Sequence, residues 1–307
     1  MLVERRIRSY QAPLHQYMCG GGKRAIEIAH RRWGKDEIAL AWTFQAITDR
    51  PATYWHCLPQ LNQARKAIWT AVNPHTGKRR IDEAFPVELR EVTNEQEMFI
   101  RFLNGSTWQV IGSDTYDSLV GAGVAGIVFS EWALANPSAW GYLSPMMREN
   151  NGWALFITTP RGKNHAYDMF NHAMKSDDWY AEISDAKATG AFNDEQLDGI
   201  RDEYVALYGQ DFGASQFEQE YLCSFEAAIL GSYYGGELAA ARAAGRICAV
   251  KHDPDLPVQT VWDIGYSDDT VILFVQVAAN EVRIIDTYSA NGQPLAHYAE
   301  VIASKDY

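Results

Sequence analysis

The stretch RAIEIAHRRWGKDEIALAWTFQAI, residues 24 to 47, constrains the fold more than any other part of the chain. It opens on an apolar run of strand length and closes on a segment that places Leu40, Phe44 and Ile47 at helical spacing. The two are joined by a short polar turn that ends in Gly34 and Lys35. Strand, Gly-Lys turn and helix in that order are the frame of a phosphate loop, usually spelled G-x-x-x-x-G-K-[ST]. In such a loop backbone N–H groups wrap the phosphates, the Lys neutralises charge and the hydroxyl helps to hold Mg²⁺. Here Ala29 stands where the first Gly is expected and Asp36 replaces the hydroxyl. Gly34 and Lys35 keep their spacing, so close backbone approach and positive charge both survive. Asp36 can order a metal directly or through water, and Arg31 and Arg32 offset the repulsion that a carboxylate adds beside phosphates. A Gly-Lys pair also arises by chance at a helix start, so this stretch alone leaves both readings open.

Apolar runs and helical patterns alternate onward: strand 24–29, helix 35–47, strand 52–58, helix 60–72. That alternation predicts an α/β fold with a mainly parallel sheet. Asn104-Gly105 between two strand-like runs predicts a hairpin added antiparallel to the sheet. AGIVFS (125–130) and WALFITT (153–159) are two further short apolar runs that end in polar residues, at the edge where a parallel sheet presents its site. Residues 193–220 read as polar and helical, and AAILGSYYGG (227–236) as a linker by its glycines. A domain boundary is expected near 225, giving domains 1–225, with a helical linker region over about 187–225, and 226–307. The second domain is expected to hold three consecutive strands, VQTVWDIGY, TVILFVQV and EVRIIDTY, then a helix starting near Pro294.

A chain of 307 residues suits one large α/β domain and a second piece. No apolar run reaches the ~18 residues of a membrane span, and the start lacks a signal-peptide core, so a cytoplasmic address is expected. The scattered Cys19, Cys57, Cys223 and Cys248 form no paired metal spacing. The net charge of −12 argues on average against a nucleic-acid partner, yet it is unevenly spread. Residues 1–110 hold 16 Lys and Arg against 11 Asp and Glu, whereas residues 111–307 hold 11 against 28. The basic excess, with clusters at 4–6 and 78–80, lies on the side of the phosphate-loop motif. It fits a nucleic-acid surface or solvated charge.

Hydrolysis after a phosphate loop needs a carboxylate that orients or deprotonates water, typically at the end of a neighbouring apolar strand. GIVFSEW supplies Glu131 there, with Ser130 where a metal-ordering Asp is more usual. TTPRGKNH ends a third strand; Thr158 and Thr159 are placed to bond a γ-phosphate or its water, and Arg161 and Lys163 to meet a polyanion.

HRRWGKD, YWHCLP with NQARKAIW, GIVFSEWAL and ALFITTPRGKNH together resemble the serial motifs of the large terminase subunit of tailed bacteriophages, the motor that packages viral DNA. The resemblance continues through QEYLCSFEAAILGSYYG to VWDIGYSDDT and covers nearly the whole chain. It implies a P-loop, RecA/ASCE-like ATPase domain followed by an RNase H-like nuclease domain, here truncated. Its cofactors are ATP and Mg²⁺, and its partners double-stranded DNA, a portal protein, a small terminase subunit and a homo-oligomeric ring, in the host bacterial cytoplasm with no membrane. Lys35 would bind the β and γ phosphates with Gly34 and Asp36 beside it, and Arg31 or Arg32 would stabilise transition-state charge. Glu131 would be the catalytic carboxylate, Thr158 and Thr159 the coupling motif, and Gln16 in QAPLHQ the reader of adenine. Asp36 and Ser130 depart from the common spelling of the metal site.

In the nuclease part, Asp263 of VWDIGY matches the first metal ligand. Two-metal cleavage with Mg²⁺ or Mn²⁺ needs several carboxylates around the ions. Asp268 and Asp269 read as turn residues, and Asp286 as a neighbour without a family match. With the chain stopping at VIASKDY, no endonuclease activity is expected of it. Two other readings stand beside the motor: another DNA-stimulated, helicase-like ATPase, and an inactive prophage remnant that binds nucleotide without turnover.

Overall fold

The computed structural model describes residues 7–114, 116, 123–226, 235–265, 269–279 and 281–307. The basic cluster at 4–6, Asp268 and residues 227–234 of the glycine-bearing stretch lie outside the described residues. The chain divides into two compact units, Met1–Tyr233 and Tyr234–Tyr307.

In the first unit α1 (Ala12–Cys19) precedes β1 (Arg24–Ala29), α2 (Lys35–Asp49), β2 (Thr53–Leu58), α3 (Leu61–Ala64) and α4 (Arg80–Ala84). Next come β3 (Arg90–Asn94), β4 (Phe99–Phe102), β5 (Thr107–Gly112) and β6 (Val124–Ser130). The unit continues with α5 (Ser138–Glu149), β7 (Trp153–Thr158), α6 (His165–Ala173), β8 (Trp179–Ser184), α7 (Ala186–Thr189), α8 (Asp194–Tyr208) and α9 (Gln210–Tyr221). The eight strands form one sheet in the order β3-β4-β5-β2-β6-β7-β1-β8. From β5 to β8 every neighbouring pair is parallel. The Asn104-Gly105 turn adds β4, and with it β3, antiparallel at the edge.

Side-chain alternation splits each central strand between two cores. β1 sends Ala25 and Ala29 toward α1 and α2, among Leu14, Met18, Leu40 and Ile47. Its Ile26 and Ile28 join Leu143 and Met147 of α5 and Phe170 of α6. Covered on both faces, such strands read as near-continuous apolar runs.

The helix expected over 60–72 is cut short. α3 passes into a π-helical turn, Arg65–Trp69, where the Thr70 N–H reaches back to the Arg65 carbonyl at 2.9 Å. The wider turn lets buried Trp69 stack on Trp108, ring centres 6.1 Å apart and planes 10° from parallel. Its indole N–H donates to Glu95 at 2.5 Å.

At the far end of the unit, Asn193 caps α8 by accepting from the Gln196 N–H. Gly209 then turns the chain into α9.

The second unit holds α10 (Gly235–Ala243), β9 (Gln259–Asp263), β10 (Thr270–Ala278), β11 (Glu281–Ala290) and α11 (Leu295–Ala303). Its three strands form an antiparallel sheet in the order β11-β10-β9. α11 starts right after Pro294, as predicted, and seats Tyr298 on Ile272 and Phe274. One expectation changes: Gly235 and Gly236 open α10 instead of extending a linker. Among the described residues no helix is long and apolar enough to cross a membrane.

Candidate functional site

In the sheet order β7 lies between β6 and β1, so the carboxyl ends of these three strands sit side by side. Open α/β sheets bind ligands outside that edge. A cavity of about 1450 Å³ opens here, lined among others by Gly34, Lys35, Asp36, Glu131 and Thr159.

The turn 30–34 explains the altered loop spelling. Ala29 is the last residue of β1, still paired with Ser184 of β8, so no glycine is needed at that extended position. The left-handed positions fall instead on Arg32, at φ 70°, and Gly34, at φ 92°. A Cβ at Gly34 would stand 2.8 Å from the Gln11 amide nitrogen, and its φ is one that L side chains rarely adopt. The Lys35 ammonium donates to the carbonyls of Ala29 at 2.9 Å and His30 at 3.2 Å and to the Thr159 hydroxyl at 3.0 Å. Buried His30 braces the turn, its ring nitrogens 2.6 Å from the Arg31 carbonyl and 2.9 Å from the Thr189 hydroxyl.

In the first turn of α2, Asp36 meets Ser130. The Ser130 hydroxyl donates to Asp36 Oδ1 at 2.7 Å, and His56 Nε2 of β2 lies 3.2 Å from the same oxygen. Burial alone would raise the proton affinity of the Asp36 carboxyl, but His56, Ser130 and Lys35 outweigh it and hold the group below the usual range. Glu131 follows directly, with a left-handed backbone at φ 53°, ψ 46°. That conformation is strained for a non-glycine residue and turns the chain sharply at the cavity wall. Burial pushes the Glu131 carboxyl up, the Asp36 and Glu220 charges add to this, and Lys35 and Arg161 oppose it.

The cationic and hydroxyl residues are more engaged than sequence reasoning expected. Arg31 Nε lies 3.2 Å from Glu220 of α9, and Arg161 pairs with the other oxygen of that nearly buried carboxylate. Arg32 is exposed at the cavity. Lys163 pairs with Glu226, and Arg79 of the 78–80 cluster with Asp82 and Glu95, so these charges are partly neutralised. Thr158 is fully buried and, unlike Thr159, does not line the cavity. It accepts from the Ala133 N–H at 3.1 Å and thereby ties β7 to the turn after Glu131. Thr159, through Lys35, ties the same strand to the loop.

Gln16 lines neither the cavity nor the pocket beside it. It is exposed on α1, whereas Gln11, at the other end of the same QAPLHQ segment, donates to the Trp33 and Gly34 carbonyls at 3.0 and 3.3 Å. Arg8 joins it, donating to the Arg32 and Trp33 carbonyls at 3.2 and 2.8 Å. Both line a side pocket of about 210 Å³ with Ile38, Leu40 and Ala84. The resemblance located the segment and favoured Gln16 within it, and did not single out Gln11. His56 and Glu220 carried no such signal, one being a polar residue inside an apolar strand and the other a remote helical acid.

Asp263 is exposed at the end of β9 and faces Val271 of β10, while Asp286 faces Phe274. Residues 271 and 274 point to opposite faces of the sheet, so Asp286 is no metal neighbour of Asp263. Asp286 instead accepts from Lys305 and Tyr307, and Asp269 from Ser289. Among the described residues no three His, Cys, Asp or Glu side chains group to hold a metal.

Two curated large terminase subunits, from Thermus phage G20c and Thermus virus P23-45, are each 26% identical to this chain over 163 residues. The match takes in 48% of this chain and 33% of each relative, so the chain spans about a third of their length. Among solved structures, the large terminase ATPase domain of Thermus phage P74-26 superposes with a TM-score of 0.56 at 20% identity, over 72% of this chain and 94% of that one. The large terminase of a thermophilic bacteriophage in complex with ADP does so with a TM-score of 0.54 at 12% identity, over 97% of this chain and 73% of that one. At these identities the superpositions show a shared fold, a mostly parallel α/β sheet of the terminase ATPase type. The family model described as terminase large subunit, T4likevirus-type, N-terminal, matches residues 25–240, and the chain belongs to that family.

Proposed function

We propose that the first unit hydrolyses ATP as part of a motor that moves double-stranded viral DNA into a procapsid. One observation carries this reading: a single cavity gathers Gly34, Lys35, Asp36, Glu131 and Thr159 from three adjacent strand ends. The bare approach at Gly34 and the Lys35 charge suit the β and γ phosphates, and the Gln11 and Arg8 pocket suits the base. Glu131 orients or deprotonates the attacking water, and Arg31, held by Glu220, meets charge that develops in the transition state. Thr158 and Thr159 connect β7 to both the water-side and the phosphate-side strands, which supports a coupling role. Asp36 and Ser130 supply the hard oxygen donors that Mg²⁺ prefers. The ion, when bound, neutralises phosphate charge.

The DNA, a portal protein, a small terminase subunit and a ring of identical subunits in the host cytoplasm follow as partners from the family reading. We further infer that the second unit belongs to an RNase H-like nuclease fold, which its three-stranded meander and following helix support. Asp263 alone does not fit a two-metal site, and no cleavage step is derived through it.

The test pairs steady-state ATP hydrolysis, with and without double-stranded DNA, with equilibrium binding of a fluorescent ATP analogue. Lys35→Ala is expected to lose binding and turnover together, because among the described residues Lys35 is the one lysine lining this cavity. Parent-level hydrolysis in that variant overturns the assignment.

A further inference from the structure

We propose that the hydroxyl and the carboxylate of the metal site have exchanged places in this chain, between the helix that follows the loop and the neighbouring strand. Asp36 at the start of α2 supplies the carboxylate, Ser130 at the end of β6 supplies the hydroxyl, and His56 is the residue that positions the carboxylate. The inference rests on the nucleotide reading above and deepens it.

A phosphate loop ordinarily places its Ser or Thr hydroxyl on Mg²⁺ from the helix start, while an Asp from the neighbouring strand holds the same ion. Taken singly, Asp36 and Ser130 each look like damage to that arrangement. The structure puts them in direct contact, with Ser130 Oγ donating to Asp36 Oδ1 at 2.7 Å. Across so short a contact, exchanging the two residue types keeps one hydroxyl, one carboxylate, one hydrogen bond and the same net charge. The two departures therefore compensate each other.

The third partner gives the exchange its direction. His56 is fully buried; its Nε2 lies 3.2 Å from Asp36 Oδ1, and among the described residues its buried Nδ1 has no partner. An ionised carboxylate only accepts, so the proton of this ring belongs on Nε2, facing Asp36. Both recorded bonds thus fall on Oδ1. Among the described residues Oδ2 has no hydrogen-bond partner, and Asp36 lines the cavity. A carboxylate on a cavity wall with one oxygen pinned and the other left without a protein donor is arranged as a metal ligand. The first turn of a helix also favours a negative side chain, which helps Asp36 sit beside phosphates.

The test is a double-mutant cycle on the full chain, read as Mn²⁺ affinity of the complex with a slowly hydrolysed ATP analogue, by electron paramagnetic resonance. Metal-free binding of a fluorescent ATP analogue in EDTA is measured alongside. Asp36→Ser, which leaves two hydroxyls, and Ser130→Asp, which presses two carboxylates together, are each expected to weaken Mn²⁺ binding at least ~10-fold, as coupled neighbours do. The double variant, which restores the common spelling, is expected to regain most of that loss. Asp36→Asn keeps the shape and the contacts while removing the charge, so it should fold as the parent does and still lose metal affinity. His56→Leu should lower Mn²⁺ affinity but not metal-free nucleotide binding, and His56→Gln, whose amide can donate to Asp36, should recover part of it.

A double variant that binds Mn²⁺ no better than the weaker single overturns the exchange, as does an Asp36→Asn chain with parent affinity. Parent protein that binds no nucleotide in EDTA or with metal overturns the nucleotide reading itself, a result distinct from additivity in a chain that binds.

Discussion

The acids at the edge of the eight-stranded sheet and those of the three-stranded sheet are built in opposite ways. Asp36, Glu131 and Glu220 are each held against strand ends, in contact with specific partners or forced into a strained backbone. Asp263 stands exposed, and Asp286 lies on the other face, engaged with Lys305 and Tyr307. A buried acid that keeps its position carries a desolvation cost, and such groups gather where chemistry is done. An exposed acid at a strand end carries no such cost. The difference separates a preorganised corner from a position that only a family pattern marks.

The sharpest way to break this contrast is at Glu131. Glu131→Gln keeps the shape of the turn and is expected to retain nucleotide while slowing hydrolysis at least ~10²-fold, the usual scale for a general base or water-positioning group. Single-turnover hydrolysis and analogue binding measured on the same sample check it; turnover at the parent rate would move the role to another residue. A smaller effect is expected at the arginines. Arg31→Ala should lower kcat about tenfold and spare nucleotide affinity, since a charge aimed at the transition state contributes little to the ground state. Arg32→Ala should cost less, because Arg32 lacks the carboxylate that fixes its neighbour. Equal kcat in parent and Arg31→Ala chains would assign the Arg31–Glu220 pair to structure alone.

These roles were unevenly legible in the sequence. β1, α2 and the Asn104-Gly105 hairpin could be read because each rests on local periodicity or turn chemistry, which neighbouring residues decide. The place of Glu131 at the cavity could be read because a polar residue ending an apolar strand is a local signal. The Asp36–Ser130 contact could not, since it depends on β6 lying two strands from β1 in the sheet. Each residue looked like a defect until the topology joined them. Gln11 and Gln16 share one short motif, and only the direction of α1 separates the buried one from the exposed one. The place of Thr158 at a strand end suggests a phosphate contact, and alternation along β7 turns it inward.

Glu27 extends the contrast to stability. It lies fully buried in β1, beside Glu182 of β8 in the parallel register, and neither carboxylate oxygen makes a well-formed hydrogen bond. Burial pushes its carboxyl well above the usual range, the Glu182 charge adds to this, and the nearby Ser184 hydroxyl and Lys35 charge offset only part. Tyr180 of β8 also feels the Glu27 charge. A raised folded value means that the stability this group contributes is full below the ordinary value of 4.5 and falls as pH climbs from there through the folded value. Glu27→Gln removes that dependence. The thermal midpoint of the variant should therefore match the parent in acid and exceed it by several degrees at neutral and higher pH. A constant offset between the two chains across that range would show that Glu27 is ionised in the folded state.

The smallest effect is expected at Asp263. An exposed side chain at a strand end, with no ion pair or hydrogen bond among the described residues, contributes little to folding, and surface substitutions of that kind usually stay within about 0.5 kcal/mol. Asp263→Ala should leave the thermal midpoint and the ATP turnover of the chain at parent values. Under the same conditions Glu131→Gln should nearly abolish turnover. A fall in hydrolysis on removing Asp263 would mean that the acid of the second unit serves the nucleotide chemistry of the first, and the division between a preorganised corner and a merely patterned position would no longer hold. Unchanged values would place any role of Asp263 outside ATP turnover and folding, as the nuclease reading requires of a metal ligand that acts on DNA alone.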